Sequence, residues 1–313
     1  LRSDGSLVCW GRNDDGQTNL PALPTGLSYT QVGAGPRHTC GLHSDGSLVC
    51  WGDNSFGKTD VADLPAGLSY TQISAGGDHT CGLRSDGTLV CWGDDGDGQS
   101  TVPSLPVAHY TQVSAGEDHT CGVDSLGFLF CWGDNTYGQT LNVPARPPGL
   151  SYTQVSAGDF HSCGLFSDSS LVCWGRNNHS QTDVPSLPAG VSYTQISSGG
   201  NHTCAVRSDG SLICWGDNGD GQTDTPDLPP GMSYTQVGAG GEHTCGVRSD
   251  GSLLCWGRND DDQIDVPVLP ALSYTQVSAG WDHTCGPRSD GSLACWGEND
   301  DGQTDVPALP AGL

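Results

Sequence analysis

The chain has 313 residues, with 47 Gly, 19 Pro and a single Met, and only 35% of it is hydrophobic. Its 36 acidic residues against 11 basic ones leave a formal charge of -25, a surface that repels phosphate backbones and excludes nucleic acid as an expected partner. No run of 18 apolar residues is present, so no membrane span is expected, and the start at Leu1 without a signal-like stretch predicts that any targeting segment is removed or missing.

Gly and Pro at this level accompany disorder in some chains, but 9 Trp and 15 Cys recur at regular intervals and predict order. Residues 1–27 read as a partial repeat, an incomplete blade that carries Cys9-Trp10. Residues 28–313 then hold seven complete units. Each opens on Tyr-Thr-Gln (first at Tyr29, last at Tyr274), continues through His-(Thr/Ser)-Cys (His38 to His283) and reaches Cys-Trp (Cys50-Trp51 to Cys295-Trp296). Apolar runs are short and bounded by Gly, Pro, Asn and Asp, the pattern of strands joined by turns. An all-β unit of about 41 residues predicts a β-propeller blade.

The segment from His38 to Trp51 can be folded from its turn outward. Ser44-Asp45-Gly46 suits a three-residue hairpin loop with Gly46 left-handed. His43 then closes on Ser47, Leu42 faces Leu48, Gly41 faces Val49, and Cys40 faces Cys50. A non-hydrogen-bonded pair brings its Cα atoms to about 4.5 Å, within disulfide reach. The same separation predicts Cys40–Cys50, Cys81–Cys91, Cys121–Cys131, Cys163–Cys173, Cys204–Cys214, Cys245–Cys255 and Cys285–Cys295. Buried free thiols or a metal site are the alternative, but no zinc-type Cys knuckle occurs. Disulfides imply an oxidising compartment: secreted or cell surface, with the periplasm as the variant. Cys9 is left unpaired, its mate expected upstream of Leu1 or on another chain.

Both hairpin faces are apolar, with Leu48 and Cys50 on one side and Val49 and Trp51 on the other, which predicts a blade sandwiched between neighbours. Gly41 is expected to leave room for the next blade, and each repeated His to hydrogen-bond within its own blade.

The string Ala-Gly-x-x-His-Thr-Cys-Gly-Leu-Arg-Ser-Asp-Gly-Ser-Leu-Val-Cys-Trp-Gly-Asp-Asn-x-x-Gly-Gln resembles the repeat of the regulator of chromosome condensation family, which includes secreted propeller-type β-lactamase inhibitors. The resemblance covers the whole chain. It implies a closed propeller, usually seven-bladed, whose repeated Gly, His and Trp build the blades and whose loops on one face bind. The paired cysteines and the acidity depart from the common pattern. Seven blades are expected, with eight as the alternative.

The loops after Trp-Gly are rich in Asn and Asp (Asn13-Asp14-Asp15, Asp217-Asn218-Gly219-Asp220 and others). Solvated turns account for them. No cofactor is expected, Ca²⁺ being the alternative because it prefers oxygen ligands. Asn178 and Asn201 head sequons that accept glycans in a eukaryotic secretory route. Since shared positions build the scaffold, binding should fall where units differ: the pair before each His, and the tip of the Asn/Asp loop. The aromatics there, Phe56, Tyr137, Phe160 and Trp281, are the candidate anchors.

These readings favour a non-catalytic extracellular binding or scaffold propeller with a protein or glycan partner. A self-assembling structural array is the first alternative. A polysaccharide-active enzyme is the second, and no catalytic residues are assigned because no distinctive carboxylate pair or nucleophile–base set stands out.

Overall fold

The computed structural model describes residues 29–105, 107–260, 262–266, 273–274, 276–287 and 293–297. The partial repeat 1–27 and Cys9 lie outside them. The described residues form seven antiparallel sheets of three strands each. The first blade is built from β1 (Tyr29–Ala34), β2 (His38–His43) and β3 (Leu48–Gly52), and the last from β19 (Ser278–Ala279), β20 (His283–Pro287) and β21 (Leu293–Gly297). Five blades over 70–93, 110–133, 152–175, 193–216 and 234–257 lie between them. In every blade the middle strand pairs with both others. β1 packs against β19, so the seventh blade meets the first and the ring closes.

The hairpin follows the turn chemistry. His43 N–H donates to Ser47 O at 2.8 Å, Gly46 N–H donates to His43 O at 2.9 Å, and Gly46 has φ +79°. The register is Leu42↔Leu48, Gly41↔Val49 and Cys40↔Cys50. Six cross-strand disulfides form, each with its Cα atoms 4.0–4.1 Å apart. In the seventh blade Cys285 faces Cys295 in the ladder; the Cys285–Cys295 bond itself falls on side chains outside the described set.

The blades are joined by side chains that reach one blade forward. A register shift between Tyr29 and Gln31 lets the Gln31 amide act as a short extra strand segment. Its Nε2 donates to Ile73 O at 3.2 Å, and its Oε1 accepts from Ile73 N–H at 3.1 Å. Gln72 does the same with Val113, Gln112 with Val155, and Gln195 with Val237. The repeated histidines also reach forward, contrary to the expectation of a bond within their own blade. His38 Nε2 meets Thr80 Oγ1 at 2.7 Å, and His79, His119, His161, His202 and His243 repeat the contact. The Thr80 hydroxyl already donates to Lys58 O at 2.9 Å, so the proton in the His38–Thr80 bond belongs to Nε2 and the neutral tautomer is fixed.

The cysteine-linked tryptophans close the same seam. Trp92 Nε1–H donates to Lys58 O, and Trp132, Trp174, Trp215 and Trp256 donate to the loop carbonyls of Gln99, Gln139, Gln181 and Gln222 in the blade before. Tyr70, Ile73 and Trp92 pack with Cys40 and Leu42 of the preceding blade, one apolar seam among several.

The glycine facing the outer strand makes room for a residue of its own blade rather than for the neighbour. A Cβ at Gly82 would lie 2.6 Å from the Tyr70 ring, and one at Gly164 would lie 2.6 Å from Tyr152. At the axis a second glycine is needed for close backbone approach. A Cβ at Gly35, Gly76, Gly116, Gly158, Gly199 or Gly240 would collide with the carbonyl oxygen of the glycine in the next blade.

One seam differs chemically. Lys58 stands where other blades place Gln99, Gln139, Gln181, Gln222 and Gln263, and its fully buried ammonium pairs with Asp53 at 2.7 Å and Asp78 at 2.5 Å. Gln99 and Gln139 fill that space by donating to Asp94 and Asp134 and accepting a backbone N–H. Lys58→Met is therefore expected to cost about 2–4 kcal/mol, because it strands the Asp53 charge. Lys58→Gln should stay within about 1 kcal/mol of wild type because it restores the neutral arrangement. Denaturant midpoints of the two variants check this; equal losses would refute it.

Candidate functional site

Among the described residues, two loops of each of the first six blades meet at the same end of the ring. Asp53 N–H donates to Arg37 O at 2.9 Å, and the pairing recurs between Asp94 and Asp78, Asp134 and Asp118, Arg176 and Phe160, and Asp217 and Asn201. In these six blades the loop before the His therefore lies beside the loop after Trp-Gly, and the variable positions of both collect on one face.

This face brings three of the four candidate aromatics into two groups. Tyr137, 43% exposed, and the half-buried Phe160 approach with ring centroids 5.5 Å apart, edge to face. The Arg176 guanidinium lies over both, 5.2 Å from the Tyr137 centroid and 5.3 Å from that of Phe160, an arrangement favoured by the ring quadrupoles. Arg176 occupies the place of Asp53, Asp94 and Asp134 in other blades, which leaves Gln181 Nε2 without a partner among the described residues. The second group is at the axis. Trp281, 45% exposed, extends across the mouth so that its Nε1–H reaches Asp159 Oδ1 at 3.4 Å. Phe56, 65% exposed with φ +64°, sits on the short 3₁₀ turn Ser55–Gly57 of the first blade and shares no ring contact with these groups among the described residues.

All seven blades line a cavity of about 100 Å³ at this axial mouth. Its floor is the glycine ring, and three larger side chains stand on its rim: Glu117, Asp159 and Trp281. Smaller neighbours make the room. A Cβ at Gly77 would lie 2.8 Å from the Glu117 carboxyl carbon, and one at Gly200 would lie 3.2 Å from Asp159 Oδ2. Burial pushes the Glu117 carboxyl up to about 7, helped by the charges of Asp159, Asp118 and Asp78 and opposed by Lys58. Burial likewise lifts Asp159 to about 6; the indole N–H of Trp281 and the charge of Arg176 work against that rise, and Asp118 adds to it.

Sequence reasoning placed Glu117 and Asp159 among the variable pairs but chose only aromatics. The missed signal lay in the first position of each pair. It reads Pro36, Gly77, Glu117, Asp159, Gly200, Gly241, Trp281, so glycines flank the three side chains that need space. Arg176 was legible in the same way, as one of the arginines, with Arg12 and Arg258, in a column that is otherwise Asp or Glu.

The Asn/Asp loops spend their oxygens on their own backbone. Asp53 Oδ1 accepts from Ser55 N–H, and Asn54 Oδ1 accepts from Thr59 N–H. Among the described residues no three His, Cys, Asp or Glu side chains gather into a metal site. Asn178 is exposed on its loop. Asn201 is half-buried with its Oδ1 enclosed, and Thr203 of its sequon is fully buried and bonded to His161 and Gln181. No helix among the described residues is long and apolar enough to cross a membrane.

No curated protein matches the chain in sequence. Among solved structures it is similar to the CRINKLY WD40 ectodomain of the Arabidopsis thaliana receptor kinase ACR4, at 28% identity and TM-score 0.65 over 86% of this chain and 94% of that one. It is also similar to the ectodomain of the Physcomitrella patens receptor kinase CR4, at 27% identity and TM-score 0.66 over 91% and 76% of the two chains. Saccharomyces cerevisiae Prp20p shares the fold, with TM-score 0.73 and 19% identity over 95% and 91%. The regulator of chromosome condensation (RCC1) repeat profile matches seven times, over 29–58, 70–99, 110–139, 152–181, 193–222, 234–263 and 274–303. With one match per blade across most of its length, the chain belongs to the regulator of chromosome condensation repeat family.

Proposed function

We propose that this chain is a non-catalytic extracellular recognition propeller that binds a protein partner through the face carrying Tyr137, Phe160, Arg176 and Trp281. The observation that carries the reading is the division of labour between positions. The repeated Gln, His, Trp and Cys are consumed in joining strands and blades. The residues that vary between blades collect on one face and pair with one another instead. Exposed aromatics beside an arginine are the side chains that dominate binding energy at interfaces. The disulfides and the similarity to two receptor-kinase ectodomains support an extracellular setting.

The test is selection of a random peptide display library on the wild-type protein, followed by measurement on two variants. Tyr137→Ala/Phe160→Ala/Trp281→Ala should weaken selected binders by roughly tenfold or more. Leu126→Ser/Phe128→Ser, which alters exposed residues of a hairpin turn at the other end of the blades, should leave them unchanged. Binders indifferent to the first variant would remove this face as the recognition surface.

A further inference from the structure

The axial mouth combines three features that the blade scaffold does not require. One is the cavity itself, lined by backbone at Gly77, Gly200 and Gly241. The second is a pair of carboxylates with no cation of their own. The Glu117 carboxylate takes no hydrogen bond among the described residues, and Asp159 is enclosed by its neighbours except toward the mouth, with one long contact to the indole and its second oxygen unbonded there. The charged groups around them are Asp78 and Asp118, which add negative charge, and Lys58 and Arg176, which oppose it. Lys58 is held by Asp53 and Asp78, and Arg176 is stacked on Phe160 and Tyr137. The third feature is the indole of Trp281, laid across the opening.

We propose that this mouth is a socket for an alkylammonium group, presented by a lysine side chain of a protein partner. An ammonium is compact and carries three donors on a flexible stem, which suits a cavity of side-chain size lined by two acceptor groups. Carboxylates held out of water bind a cation more strongly than exposed ones, and an indole face adds attraction for the ammonium. The chain's charge of -25 steers cations toward it. The inference rests on the recognition face proposed above and names the chemistry it reads.

The test follows the Trp281 indole N–H signal by NMR, assigned through Trp281→Phe, during titration with a short acetylated and amidated peptide containing one lysine. The lysine peptide should shift that signal and saturate, whereas its Nε-acetyl-lysine counterpart should leave it in place. Glu117→Gln and Asp159→Asn should each weaken the lysine peptide by about tenfold. Both variants should melt no lower than wild type at pH 7.5, because each removes a desolvated charge, so lost binding cannot be ascribed to lost folding. Binding should also weaken as pH falls from 7.5 to about 6.3, above the range in which acid unfolds the ring, since protonation removes the carboxylate charge. An acetylated peptide that binds equally well, or carboxamide variants that bind unchanged, would overturn the socket. Display-selected binders that need the face but ignore lysine acetylation would overturn the socket alone and leave the recognition face standing.

Discussion

Reduction of the disulfides is expected to unfold the ring. Each of the six described bridges closes a loop of sequence separation 10, and loop-closure entropy assigns such a bridge roughly 2–3 kcal/mol. Six together approach about 15 kcal/mol, the upper end of the stability of ordinary domains. Each blade is only three short strands, so outside its seams with its neighbours the bridge is its main local tie. Melting with and without a strong thiol reductant at pH 7.5 checks this, and a reduced protein that melts within a few degrees of the oxidised one would refute it. A single bridge can be tested by the pair Cys163→Ser/Cys173→Ser, which should lower Tm by roughly 4–10 °C. Removing Cys173 alone should cost more, because it leaves Cys163 as a fully buried thiol in a space shaped for a bond.

Acid should unfold the protein cooperatively between about pH 6 and pH 4. Burial lowers His38, His119, His161 and His243 to about 3, and His79, His202 and His283 to about 4, against 6.5 for a free imidazole. The structural cause is visible in the seam. Nε2 already holds the proton it needs for the neighbouring threonine, and Nδ1 of His38, His119, His161 and His202 faces no acceptor among the described residues. A second proton would have nowhere to bond. Between the folded and unfolded values the unfolded chain binds more protons, so these groups contribute their stability fully above pH 6.5 and lose it as pH falls. Each histidine can remove up to about 1.4 kcal/mol per pH unit, and seven of them reach the scale of the whole fold within about two units. Glu117 and Asp159 act in the opposite sense, because their raised values favour the folded state on acidification, but they are two against seven. Far-ultraviolet circular dichroism from pH 8 to pH 4 reads the outcome, and a thermal midpoint unchanged down to pH 4 would contradict it.

The blade was legible in the sequence to the level of individual residue pairs. Turn chemistry at Gly46 fixed the register, and the register fixed the disulfides, because both are local and repeat with the unit. Partners across the seam were not legible. His38 and Thr80 are 42 residues apart, and a repeated sequence offers every histidine an equivalent threonine nearby in its own blade. Only the inclination of one blade against the next decides between them. The site was half legible for a related reason. Variability pointed to two loops that the structure sets side by side on one face, yet it carries no information about which side chains the ring sets face to face across the axis, as it does Trp281 and Asp159. The aromatic criterion found Tyr137 and Phe160 and overlooked the guanidinium between them.

The forward reach of Gln31, His38 and the Lys58 carbonyl gives the ring a polarity. Among the described residues, blades one to six each hand donors and acceptors to their successor, like links hooked in one direction around a chain. A blade is thus not a self-sufficient unit, and its boundary as a structural object does not coincide with its boundary as a repeat in the gene. Duplicating one repeat adds a complete set of hooks together with a complete set of eyes, whichever residue the duplication starts from. An array of this kind can lengthen or shorten by whole units while each new seam keeps the same His–hydroxyl and Gln–backbone bonds, and only the loops on the open face need change for a new partner.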